Sequence, residues 1–204
     1  MDSKGLSANT LNDSQLWQQL KNGSEVALSK LIKKYFNLLQ NYGYKFIRNE
    51  DFIKDCVQDV FVEIWSRRNT ITQPESVRAY LLSSVRKRIL RESMRQKMNQ
   101  ASEIVDIEND LNFVEFSPEL QIIEEENIHE TAKRVSDMLN TLPKRQREVI
   151  YLKYYQNLER DEIAQIMGIN SQSVSNLLQV AFSSIRENWP GFTLSYLLLL
   201  NLIC

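Results

Sequence analysis

Cysteine and histidine are nearly absent: Cys56, Cys204 and His129 are all that 204 residues contain. Two cysteines cannot build a disulfide framework, and with one histidine they cannot complete a zinc site. Such usage fits a reducing, cytoplasmic compartment. Five glycines and four prolines are too few for a turn-rich all-β fold and suit helices. No apolar run follows Met1-Asp2-Ser3-Lys4-Gly5, so no signal peptide is expected. No histidine pair, carboxylate–histidine set or metal cluster is spaced for catalysis. The expectation is a protein with no catalytic residues, no metal, no cofactor and no small-molecule substrate.

Charge is abundant and unevenly placed. The chain has 25 Lys and Arg against 26 Asp and Glu, a formal net charge of -1. Residues 98–132 hold ten acids and no Lys or Arg, so the remainder carries 25 bases against 16 acids. Within 77–98, Arg78, Arg86, Lys87, Arg88, Arg91, Arg95 and Lys97 face the single acid Glu92. A basic segment followed by an acidic one points toward a nucleic-acid partner; the plain alternative is a solvated face followed by a tether.

Apolar spacing reads as helical throughout, giving an all-α fold of two small helical domains joined by an acidic linker. Residues 1–14 are polar and expected to fray. Residues 15–98 form the first domain. Asn22-Gly23-Ser24 breaks its opening run, and Ser24 is placed to cap the helix that follows. A helix over 51–66 puts Ile53, Val57, Val60, Phe61 and Ile64 on one side. Arg67 to Ser76 reads as a loop, and a third helix covers 76–97. Residues 99–130 are the acidic connector and 131–188 the second domain. Residues 189–204 are an apolar tail, too short and interrupted to span a bilayer. The tail suits packing on 131–188, binding a partner or touching a membrane.

The segment 142–186 is the most specific. Leu142-Pro143 opens a helix, Gln156-Asn157-Leu158 breaks it, and Glu159 to Met167 forms another. Ala164 is small where two helices must approach, and Gly168 permits a sharp turn. Asn170 is placed to cap the next helix, with Ile163, Met167, Val174 and Leu178 packed between the two. Gln172, Ser173, Ser175, Asn176 and Gln179 then lie on the outer face. This is a helix-turn-helix, whose second helix enters the major groove; the alternative is an ordinary helical hairpin.

Leu142-Pro143-Lys144-Arg145-Gln146-Arg147-Glu148-Val149 with this helix-turn-helix closely resembles region 4 of bacterial sigma-70 factors. Asp55-Cys56-Val57-Gln58-Asp59-Val60-Phe61-Val62-Glu63-Ile64-Trp65 resembles the D-x-x-Q-(D/E)-x-F-x-x-x-W core-binding helix of region 2. Val77-Arg78-Ala79-Tyr80-Leu81 matches the segment after it. Two such domains with nothing large between them are most similar to the extracytoplasmic-function (ECF) group.

The resemblance implies a non-catalytic subunit that brings core RNA polymerase to promoter DNA and helps open the minus-ten region, with an anti-sigma factor as a further partner. Polymerase docking falls to Asp55, Gln58, Asp59, Phe61, Glu63 and Trp65. Asp55, Asp59 and Glu63, four apart, form one acidic stripe. The minus-ten side falls to Arg78, Tyr80, Lys87, Arg88, Arg91 and Arg95, with the loop 67–76 expected to help capture a displaced base. Lys87, Arg88, Arg91 and Arg95 share about a third of the helix circumference. Minus-thirty-five reading falls to Gln172, Ser173, Ser175, Asn176 and Gln179. The family usually has Lys or Arg near 175, 177 and 180; Ser175, Leu177 and Val180 stand there instead. Base reading must then come from amides and hydroxyls. A stand-alone helix-turn-helix regulator is the competing reading.

Overall fold

The structure, a computed structural model, describes residues 12–100 and 126–188, which divide into two compact units. Among these residues every regular element is a helix. Most of the connector, the tail and the first eleven residues lie outside the described set, so the expectations placed on them stay with the sequence.

The first unit has four helices: α1 (Asp13–Lys21), α2 (Glu25–Tyr44), α3 (Glu50–Ser66) and α4 (Val77–Gln100). Their starts are chemically marked. The Asn12 side chain accepts from the Gln15 N–H at 2.9 Å, and Gln15 returns the bond at 3.0 Å, a capping box. Ser24 accepts from the Ala27 N–H at 3.3 Å, as its position suggested. Asn49 caps α3 through the Phe52 N–H, and Ser76 caps α4 through the Ala79 N–H. Each bond satisfies a donor that the helix cannot satisfy itself.

The apolar faces of α1, α2, α3 and α4 meet in one core that includes Trp17, Leu31, Leu39, Tyr42, Ile53, Val57, Leu81, Leu82 and Ile89, all essentially inaccessible. Gly43 lets α2 approach α3 closely. A Cβ there would lie 2.6 Å from Ile53 Cγ2 and 3.2 Å from Ile89 Cδ1. Alanine would gain up to about 1 kcal/mol in helix preference. The clash with a buried, β-branched side chain outweighs that, because overpacking costs about 1–3 kcal/mol. Gly43→Ala should therefore lower the urea midpoint of the full chain, followed by circular dichroism. A midpoint at or above wild type contradicts this packing.

The second unit contains α5 (Glu126–Thr141), α6 (Lys144–Ile150), α7 (Arg160–Met167) and α8 (Ser171–Asn188). Helix α5 takes in 126–130, which the charge pattern had joined to the connector. The helix expected to run to Tyr155 changes register instead. After Ile150 the chain makes one π-helical turn, Tyr151–Tyr155, closed by the Gln156 N–H on the Tyr151 carbonyl at 3.1 Å. Asn157 then takes φ 47° and ends it. Tyr151 stacks on Tyr155 with centroids 5.7 Å apart, and Tyr154 meets Phe182 of α8 edge-on.

A candidate polymerase-docking and nucleic-acid interface

In the second unit the turn between α7 and α8 forms as the residues dictate. Gly168 has φ 65°, the left-handed conformation that favours glycine. The Glu159 N–H donates to Glu162 Oε2 at 2.9 Å at the start of α7. Asn170 accepts from the Ser173 N–H at 2.7 Å and caps α8. The Ser171 hydroxyl donates to Asp161, tying α8 to α7. Ile163, Met167 and Val174 are buried between the helices, and Leu178 is half-buried.

The five polar residues expected on the outer face of α8 divide in two. Gln172, Asn176 and Gln179 are exposed, at helical spacing on one face. Ser173 and Ser175 are half-buried, and the Ser175 hydroxyl points back to the Ser171 carbonyl at 3.4 Å. Gln172 Nε2 donates to Asn176 Oδ1 at 3.1 Å, so these two amides are oriented together. Val180, half exposed, adds an apolar contact to the same side of the helix.

In the first unit α3 presents Asp55, Gln58, Asp59, Val62 and Glu63 to solvent. Val62 is 62% exposed, whereas Phe61 is 5% exposed. The docking motif had included Phe61, but helical spacing also put it on the apolar side, and there it lies. Its place is to hold α3 in the bundle; the exposed apolar residue on the acidic face is Val62, which the motif did not single out. Trp65 is half-buried, with the Arg68 guanidinium 4.5 Å above its ring.

The basic residues of α4 lie next to that acidic face. Arg88 reaches Asp59 at 3.7 Å and Glu63 at 3.5 Å on α3, and Glu92 at 3.4 Å on its own helix. Glu92 also meets Arg91 at 3.7 Å and Arg95 at 3.5 Å. Two surfaces that the sequence kept apart thus share a seam. Side-chain exposure grades along it: 17% for Arg88, 62% for Arg91 and 76% for Arg95. Lys87 is exposed as well, and Arg78 is half-buried near the start of the helix.

Between α3, the following loop and α4 lies a groove of about 360 Å³. Glu63, Arg67, Ile71, Tyr80, Lys87 and Arg91 are among its walls. Its volume is that of a small-molecule cleft, and its rim is mainly cationic. Trp17, which sequence reasoning missed, organises this place. Fully buried, it donates from Nε1 to the Thr72 carbonyl at 3.2 Å and meets the Tyr80 ring edge-on at 5.1 Å. Gln73 adds a bond to Ser14 of α1 at 3.3 Å. The loop is thereby fixed from behind while Ile71 faces the groove. The only sequence signal was a tryptophan on the apolar side of α1.

Cys56 lies on the buried side of α3. Burial, and then the nearby Glu92, Asp59 and Asp55 carboxylates, push its thiol up to about 11 against the pull of Arg88. It is a protonated thiol at neutral pH and no nucleophile.

Comparison with known proteins fits this arrangement. Residues 31–98 match the family described as Sigma-70 region 2, and residues 132–184 the family described as Sigma-70, region 4. The two stretches together span more than half of the chain. Bacteriocin UviA of Clostridium perfringens is 27% identical over 179 residues, covering 82% of this chain and 94% of that protein. RNA polymerase sigma factor SigV of Bacillus subtilis (strain 168) is 24% identical over 153 residues, covering 71% and 80%. The fold is similar to that of CnrH, solved with the cytosolic domain of CnrY (TM-score 0.57, 20% identity, 86% of this chain and 95% of that one). It is also similar to sigma factor RpoE from Bartonella quintana, solved with the anti-sigma factor NepR (TM-score 0.52, 17% identity, 78% and 94%). With both regions matched in order, the chain belongs to the sigma-70 family, in its ECF group, and functions as a sigma factor in transcription initiation.

Proposed function

We propose that the chain docks on core RNA polymerase through the exposed face of α3, and that Asp55, Gln58, Asp59 and Glu63 are its polar contacts. Phe61 and Trp65 support that face from the core side. The observation that carries this reading is the row of solvent-facing acids on α3 directly beside the basic face of α4. A row of acids suits a basic partner and sets encounter rate and register.

The minus-ten contacts fall on α4 and the groove. Lys87, Arg91 and Arg95 are exposed and spaced along a rod, as phosphate contacts require. Extruding a base costs a few kcal/mol, and the groove walled by Ile71 and Tyr80 is the place for it, with Arg78 holding backbone nearby. The minus-thirty-five contacts fall on Gln172, Asn176 and Gln179, with Ser173 and Ser175 behind them. In this reading 15–98 is the region 2 domain, 131–188 is region 4, and 99–130 is the tether. The chain acts as a stoichiometric, non-catalytic subunit and works in the cytoplasm, where its polymerase is. No helix among the described residues is long and apolar enough to cross a membrane. An anti-sigma factor joins the partners, by likeness to RpoE, the fold relative solved in such a complex.

Co-purification of the tagged full chain with core polymerase tests the proposal. Stoichiometric core subunits are expected. A chain that binds promoter DNA tightly alone and brings down no polymerase would be a stand-alone regulator.

Glu92 restrains the DNA surface in this scheme, since its carboxylate faces Arg91 and Arg95. Glu92→Gln should raise the affinity of the polymerase complex for promoter DNA about threefold, the scale of partly exposed ion pairs. Fluorescence anisotropy on a labelled promoter fragment checks this, and weaker binding contradicts it.

A further inference from the structure

Arg88 was grouped by helix geometry with the phosphate-facing bases, yet its surroundings differ from theirs. Its side chain is 17% exposed, and its guanidinium lies within 3.4–3.7 Å of three carboxylates on two helices. Its Nε is closed off from solvent without a hydrogen bond. To meet a phosphate it would have to leave Asp59, Glu63 and Glu92 together. Among the described residues, Arg91 and Arg95 each pair with Glu92 alone and project further outward.

We infer that Arg88 is a positioning residue for polymerase docking rather than a phosphate anchor: held by Glu92 on α4, it fixes the Asp59 and Glu63 carboxylates of α3 in the orientation they offer to the partner. The inference rests on the reading of α3 as the docking helix. A guanidinium is planar and presents paired donors, so one Arg88 can hold two carboxylates a helical turn apart. Asp59 and Glu63 remain 56% and 45% exposed, so each keeps oxygen lone pairs for an incoming Lys or Arg. Asp55, Asp59 and Glu63 keep the exposed face of α3 acidic, so it still attracts a basic surface. Fixing side chains before binding removes part of the entropy that docking would otherwise lose. Arg67, the residue that caps the C-terminus of α3, lies 3.2 Å from Glu63 and steadies the same carboxylate.

The test uses the full chain and measures affinity for core polymerase in Arg88→Gln, Arg88→Lys, Glu63→Gln and the Arg88→Gln/Glu63→Gln double variant. The salt dependence of promoter binding is then measured on preformed polymerase complexes. Arg88→Gln is expected to weaken polymerase binding about five- to tenfold, with Arg88→Lys recovering part of it. The double variant should lose less than the sum of the two single losses, because Arg88 acts partly through Glu63. The salt slope of promoter binding should not change. Arg88→Gln with normal polymerase affinity, additive losses in the double variant, or a slope reduced by nearly one unit would each overturn the inference. If Arg88→Gln loses helicity, Arg88→Lys decides: polymerase affinity below wild type with an unchanged salt slope supports the inference, and wild-type polymerase affinity overturns it. Asp55→Arg separates this from the parent reading: Asp55 is on the exposed face but has no ion pair with Arg88. If Asp55→Arg also leaves polymerase binding intact, α3 is not the docking helix and the inference falls with it.

Discussion

Asp55→Arg combined with Asp59→Arg is expected to lower affinity for core polymerase at least about 100-fold, because two acids that meet a basic surface become two like charges. Both side chains are exposed on α3 and neither belongs to the buried core. Helical circular dichroism and the urea midpoint should therefore stay close to wild type. Asp59→Arg also faces Arg88, and the repulsion there is relieved into solvent rather than into the bundle. Affinity is read by titrating labelled chain with core enzyme. Unchanged binding with an intact fold would remove α3 from the interface.

The second large effect separates two kinds of DNA contact. Replacing Lys87, Arg91 and Arg95 together by Gln should flatten the salt dependence of promoter binding by roughly two to three units, since each lost phosphate contact removes nearly one. Affinity at moderate salt should fall by at least about tenfold for every promoter alike. Gln172→Ala or Asn176→Ala should leave the slope alone and cost about 1–3 kcal/mol of discrimination between matched and scrambled upstream elements. Their 3.1 Å hydrogen bond makes the two amides one reading unit, so the double variant should lose little more than either single one. The experiment is promoter binding by the reconstituted polymerase complex at several salt concentrations on both templates. Amide variants that lose slope, with arginine variants that lose only sequence preference, would reverse the roles of α4 and α8.

Much of this arrangement was legible in local chemistry. Asn22-Gly23-Ser24, Asn170 and the Gly168 turn announce themselves through backbone preference and side-chain capping, which depend on few neighbours. The helix-turn-helix follows from Ala164, Gly168 and Val174 for the same reason. The π turn at Tyr151–Tyr155 was not legible, because one extra residue per turn barely alters apolar spacing over so short a stretch. Phe61 and Val62 are adjacent, and the motif marked one while packing exposes the other. The seam between Arg88, Asp59 and Glu63 joins α3 to α4 and is a product of tertiary packing. Helix periodicity orders a charge on its own rod and says nothing of the neighbouring one. The same holds for Trp17, whose bond to Thr72 spans 55 positions.

Run-off transcription with core polymerase freed of other sigma factors tests the central claim most directly. The full chain is added to that core on fragments of the source genome, and opened thymines are mapped by permanganate. Discrete transcripts are expected, each with an opened stretch at its minus-ten position, all dependent on the chain and all lost with Asp55→Arg/Asp59→Arg. Transcription that starts at the same places without the chain, or a chain that occupies DNA equally well without polymerase and yields no transcript, would contradict it.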